Sequence, residues 1–137
     1  MIYRTDTDEL SFMLKPSSID GVGVFAMHGI KKRTHLRLFK GPGTRKVPVK
    51  DVEPGSVLYE FLDRYGIKDG PIYWAPHDFC KMDVGWYINH SNTPNSEGDG
   101  QEDTEYFALR DIEAGEEITV DYKTLSPDEA VLCKDLR

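Results

Sequence analysis

The chain has 137 residues, with 17 lysines and arginines against 24 aspartates and glutamates, a net charge of −7. That length suits one domain with a modest core, and the acidity argues against a nucleic-acid binder, whose footprint is a basic patch on phosphate. No apolar run nears the ~20 residues of a membrane span, and the N-terminus lacks the apolar stretch of a signal peptide, so the expectation is a soluble, intracellular protein of cytoplasm or nucleus.

In chain order, residues 10–14 read as a strand that stops at 15–18, and Val22, Val24 and Phe25 as a second strand entered through Gly21. Residues 34–39 alternate, Leu36 and Leu38 against His35 and Arg37, and predict a third, half-buried strand. Gly41, Pro42 and Gly43 break the chain. Residues 57–65 read either as a short helix ended by Gly66 or as two strand fragments, and 71–79 as extended. A strand over 105–110, a turn at 111–115 and a short strand over 117–122 follow. The tail carries a helix signal over 127–136: Ser126 at the cap, Pro127 at the first helical position and Glu129 completing a capping box. Many short strands without a βαβ rhythm predict a mostly β fold with a C-terminal helix, not a doubly wound sheet. No linker or repeat divides the chain, so 1–137 reads as one domain with a core over about 12–122 and a tail over 123–137.

Three segments carry candidate chemistry. Gly21-Val22-Gly23-Val24-Phe25 lets backbone turn tightly and approach a ligand, but lacks the third glycine and the long helix of a dinucleotide fingerprint. Alone, such a G-x-G is more often a plain turn. Residues 87–95 set three asparagines, His90, Ser91 and Pro94 behind an aromatic-aliphatic run, suited to a rigid hydrogen-bonded loop. A lone His90 is more often structural than a ligand or base, and no nucleophile elbow accompanies it. Residues 114–122 run from a polar turn into a strand ending in Asp121-Tyr122, where packing is the ordinary role of the tyrosine. Cys80 and Cys133 form no C-x-x-C pair and read as free thiols, so no metal site is expected.

Together, and in this order, the segments resemble the SET-domain family of protein lysine methyltransferases. Gly21-Val22-Gly23-Val24-Phe25 is similar to its G-x-G-x-F, residues 87–95 to its F-I-N-H-S-C-x-P-N, and residues 115–122 to its G-E-E-L-x-x-D-Y. The resemblance spans about residues 12–122, with a variable insert between Gly41 and Ile72. It implies short, curved β-sheets around a threaded, knot-like core, with residues 89–95 threaded by the last strand. It implies S-adenosylmethionine as cofactor, with S-adenosylhomocysteine as product. The cofactor would be held by Gly21, Val22, Gly23 and Val24 together with Asn89 and His90. Tyr122 takes the place of the family's catalytic tyrosine, and Phe39, Trp74, Tyr87 and Val120 are expected to line a lysine channel. The implied reaction is methyl transfer to a lysine amine of a protein, a histone or other basic chain that complements the acidity; neither nucleic acid nor membrane is an expected partner.

The departures are specific. Asn92 replaces the family's cysteine, Phe39 the tyrosine of its E-Y-x-G, and Trp86 the arginine before its F-I-N-H-S, while no cysteine cluster follows Tyr122. The tail helix is then the candidate for closing the channel. Two other readings stay open: a non-catalytic SET-like binding module, and a methyltransferase for a different amine.

Overall fold

The computed structural model describes residues 2–39, 44–76, 82–98, 105–124 and 130–132. Its elements, in chain order, begin with β1 (Tyr3–Arg4), β2 (Phe12–Pro16), β3 (Val22–Ala26), β4 (Gly29–Ile30), β5 (His35–Leu36) and β6 (Thr44–Pro48). Helix α1 (Val57–Tyr65) leads into β7 (Ile67–Asp69) and β8 (Ile72–Pro76). Then come β9 (Asn89–His90), β10 (Ser96–Gly98), β11 (Tyr106–Ala108), β12 (Glu117–Val120) and β13 (Ala130–Leu132).

The expected mostly β architecture of short sheets is the observed one. The sheet that organises the rest has the order β2-β3-β12-β9, with β12 antiparallel to β3 and parallel to β9. A second sheet runs β10-β11-β5, a third β13-β7-β8-β6, and β1 pairs β4. Alternation packs Val24, Ile118 and Val120 against Leu36, Ile30 and Ile112, all fully buried, in a main core. A separate, smaller core gathers Val52, Leu62, Tyr73 and Ala75 under α1 and the third sheet.

Two expectations change, and one open alternative is decided. The strand over 34–39 is a ladder only at His35–Leu36, because the Leu38 N–H turns back onto the Leu36 carbonyl (2.8 Å) and the Arg37 N–H is taken by the Thr7 hydroxyl (2.8 Å). Leu36 and Leu38 are nevertheless buried, so the alternation reports burial correctly without a strand. Residues 57–65 are helical: the Ser56 hydroxyl accepts the Tyr59 N–H (3.1 Å), as an N-cap does, and the Gly66 N–H closes the last turn on Leu62. The tail helix is not formed where the tail is described. Residues 130–132 pair antiparallel with Ile67–Asp69 as strand β13, so edge pairing outweighs the local capping signals. Residues 125–129 and 133–137 lie outside the described residues, as do Cys80 and Cys133. No described helix is long and apolar enough to cross a membrane.

Strand β12 is fastened by side chains as well as by its neighbours. Buried Asn95 donates to the Glu117 carbonyl (2.7 Å) and accepts the Thr119 N–H (2.9 Å), and the Ser96 hydroxyl donates to the Thr119 carbonyl (2.7 Å). Asn95→Ala leaves buried backbone groups unpaired and should cost about 3 kcal/mol, at about 1–3 kcal/mol per orphaned group, measured by urea unfolding.

Glu116, at the head of β12, accepts from Arg110, from Asn95 and from the Glu113 N–H. Burial opposes its charge, but these bonds outweigh burial and hold the carboxyl below its usual range. A lowered folded-state value gives stability that is complete above the usual glutamate value of about 4.3 and lost as pH falls through the folded value. Urea midpoints should therefore fall less steeply in Glu116→Gln than in wild type as pH drops from about 5 to 3.

Candidate active site

The two glycines of residues 21–23 serve different ends. Gly21 has φ +47°, in the left-handed region, and its carbonyl accepts the Ser17 N–H (2.8 Å) to close the turn before β3. Gly23 has no such need: a Cβ there would collide with the Glu117 carboxylate and press on the Asn89 amide. The second glycine thus makes room for a protein side chain, which sequence reading had assigned to ligand approach.

Asn89 is buried and ties this turn to β9. Its amide nitrogen lies within hydrogen-bond distance of the Asp20 carbonyl (3.0 Å), the Val22 carbonyl (3.2 Å) and Glu117 Oε2 (2.9 Å). In front of it opens a cleft of about 250 Å³. Asp20, Gly21, Val22 and Asn89 line it from the β2–β3 turn and β9, Arg64 and Tyr65 from the end of α1, and Trp86 and Tyr87 from the 3-10 turn Val84–Tyr87. The cleft therefore offers a cation, an anion, backbone polar groups and three aromatic rings. Gly23, Val24 and His90 do not line it; Val24 is fully buried in the core.

Tyr122 begins the 3-10 turn Tyr122–Thr124 that follows β12, and it is 5% exposed, so its hydroxyl requires a partner. That hydroxyl donates to the Ile88 carbonyl at 2.7 Å. Its backbone N–H donates to His90 Nδ1 (3.1 Å), and the two rings meet at a tilt of 53°, 5.1 Å between centroids. His90 Nε2 faces Asn92 Oδ1 at 3.0 Å. With Nδ1 accepting the Tyr122 N–H, Nε2 is the ring nitrogen left to donate to Asn92. His90 thereby positions Tyr122. Asn92, where the resembling motif has cysteine, completes the clamp.

Phe39 meets Trp86 edge-on at 5.8 Å and Tyr106 at 5.9 Å, and Gly85 is open beneath it because any Cβ there would enter its ring. Tyr87 meets Tyr65 edge-on at 5.6 Å and its hydroxyl faces Met82 Sδ at 3.9 Å. Burial, then the neighbouring Tyr65, raises the Tyr87 phenol above its usual value. Val120 is fully buried and in register with His90. Trp74 stands in β8, with its indole N–H on Asp69 (3.2 Å) and Lys46 over its ring (5.0 Å); its described contacts are within the third sheet. The structure thus brings Gly21, Val22, Asn89 and Tyr87 to one cleft, and packs Tyr122, His90 and Val120 together beside Asn89. Sequence reading missed Asp20, Arg64, Tyr65 and Tyr106. The Arg64-Tyr65 pair had no motif to flag it, since it reaches the cleft only through the fold of the insert.

The sequence matches the SET domain over residues 21–123. It is 32% identical, over 125 residues, to a histone-lysine N-methyltransferase, H3 lysine-4 specific, of Schizosaccharomyces pombe, an alignment covering 84% of this chain and 13% of that protein. The chain therefore spans only a small part of the length of that relative. A crystal structure of a candidate histone methyltransferase of Plasmodium falciparum superposes with a TM-score of 0.53 at 21% identity, covering 82% of this chain and 92% of that one. The chain belongs to the SET-domain family.

Gly23→Ala tests the site's internal packing. It should cost about 1–3 kcal/mol, the overpacking range, seen as a lower melting temperature. Val22→Ala, at the neighbouring position that is 42% exposed, should stay within about 0.5 kcal/mol of wild type.

Proposed function

We propose that this chain transfers a methyl group from S-adenosylmethionine to the side-chain amine of a lysine in a protein. The observation that carries the reading is the Tyr122 hydroxyl on the Ile88 carbonyl, one residue from Asn89 in the cleft wall. A reacting phenol and a ligand cleft then meet across a single peptide. Membership of the SET-domain family supports it.

The cleft suits the cofactor chemically. Arg64 offers a cation to an α-carboxylate, Asp20 and the turn carbonyls offer anionic and acceptor groups to an ammonium, and the Tyr65, Trp86 and Tyr87 rings offer flat apolar surface to a base. When bound, S-adenosylmethionine supplies a methyl group activated on a sulfonium. The rest is positioning, which dominates an in-line displacement between held groups. The Tyr122 proton is committed to the Ile88 carbonyl, so towards a lysine amine its oxygen acts as an acceptor. An amine N–H given to that oxygen turns the nitrogen lone pair in a fixed direction. Phe39 packs on Trp86 and Tyr106, and Tyr87 on Tyr65; where such rings enclose a lysine amine, loss of water would disfavour its ammonium form. The acidic chain and the histone specificity in the relative's name favour a basic, histone-like substrate.

S-adenosylhomocysteine should bind at about 1:1 and raise the melting temperature, since a ligand of the folded state alone must stabilise it. Radiolabel from S-adenosylmethionine should pass to lysine-rich proteins. Tyr122→Phe should keep the binding heat while turnover falls at least about 100-fold, as for loss of a group used mainly in the transition state. Binding without transfer in the wild type would leave the binding-module reading; near-normal turnover in Tyr122→Phe would remove the tyrosine from the chemistry.

A further inference from the structure

We propose that Glu117, which does not line the cleft, is the positioning residue that sets the cleft's cofactor-facing surface; this rests on the cleft being the cofactor site. Its carboxylate fills the space behind Gly23 that a side chain there would take. On one side it accepts the Ser17 hydroxyl, at 2.8 Å by Oε1 and 3.0 Å by Oε2, and on the other the Asn89 amide at 2.9 Å. The Ser17 hydroxyl also accepts the Ile19 N–H (2.9 Å), and the Ser17 N–H donates to Gly21. The Asn89 amide nitrogen in turn faces the Asp20 and Val22 carbonyls. One carboxylate therefore braces both ends of the turn 17–22, the turn that supplies Asp20, Gly21 and Val22 to the cleft.

The choice of a carboxylate has a chemical consequence. An ionised carboxylate only accepts hydrogen bonds. With Glu117 and two backbone carbonyls grouped around it, the Asn89 side chain must present its NH₂ to them and its oxygen to the opposite side. A flipped amide would set oxygen against three acceptors. The amide has two hydrogens for three acceptors, and charge makes Glu117 the strongest of these acceptors, so Glu117 contributes most to holding the face that Asn89 turns to a ligand. Its neighbour Glu116 cannot substitute, being engaged with Arg110 and Asn95.

The test is calorimetric binding of S-adenosylhomocysteine to three folded proteins, with the melting temperature of each unliganded form. Glu117→Met keeps the side chain's length and removes the acceptors. It should melt within a few degrees of wild type yet bind about tenfold more weakly, a loss of about 1.4 kcal/mol. Glu117→Gln should return to within about threefold of wild type, because its oxygen still accepts from Asn89 while its NH₂ donates to the Ser17 hydroxyl. A role in folding alone would lower melting and leave the affinity of the folded protein intact. Glu117→Met binding within about twofold of wild type, or Glu117→Gln as impaired as Glu117→Met, overturns the proposal. If Glu117→Met does not fold, Glu117→Asp, one methylene short of Asn89, carries the same expectation and the same refutation. Wild-type protein that binds no S-adenosylhomocysteine overturns the cofactor reading itself, and this inference with it.

Discussion

The parallel pairing of β12 with β9 is the constraint on which the site depends. Thr119 lies opposite Asn89 and Val120 opposite His90, while the other edge of β12 holds β3 at Glu117 and Ile118. Strands stand only about 4.8 Å apart. A glycine-containing turn, an asparagine-histidine pair and a terminal tyrosine, spread over about a hundred residues of chain, are thereby brought within two strand widths. The register matters as much as the pairing, because a slip by one residue would exchange the two faces of β12. Asn95 and Ser96 hold that register from outside the ladder, by bonding the backbone of Glu117 and Thr119.

The fold was readable where burial and backbone geometry agree. Val24, Ile118 and Val120 alternate and do lie on strands facing the core. They part company at Leu38, whose apolar side chain is buried although a tight turn has already ended the ladder. For residues 57–65, where the apolar pattern suits either state, the sign that sequence reading passed over is a single serine, Ser56, which caps the helix. In the tail the opposite happened. Good capping residues were present, yet residues 130–132 complete the edge of β7, a partner that no local pattern announces.

The site was legible to the extent that it is written in short motifs. Gly21, Val22 and Asn89 reach the cleft, and Tyr122 is held by His90 next to it. What a motif does not disclose is the direction in which each member acts. His90 turns to Tyr122 through its ring and its Nδ1, and Gly23 yields space to Glu117. Arg64 and Tyr65 sit in the insert, where spacing says nothing; only the docking of α1 brings them to Gly21 and Tyr87.

The cleft also lies along a seam. Tyr87 packs on the main core and Asn89 pairs with β12, whereas α1, which brings Arg64 and Tyr65, rests through Leu62 on the smaller one. Regions packed on different cores can open locally at different free energies. A molecule that touches both is held only while they remain docked, so its binding energy is added to their union. Occupancy of the cleft would thus couple α1 to β12, drawing the exchange of their amides with solvent closer together.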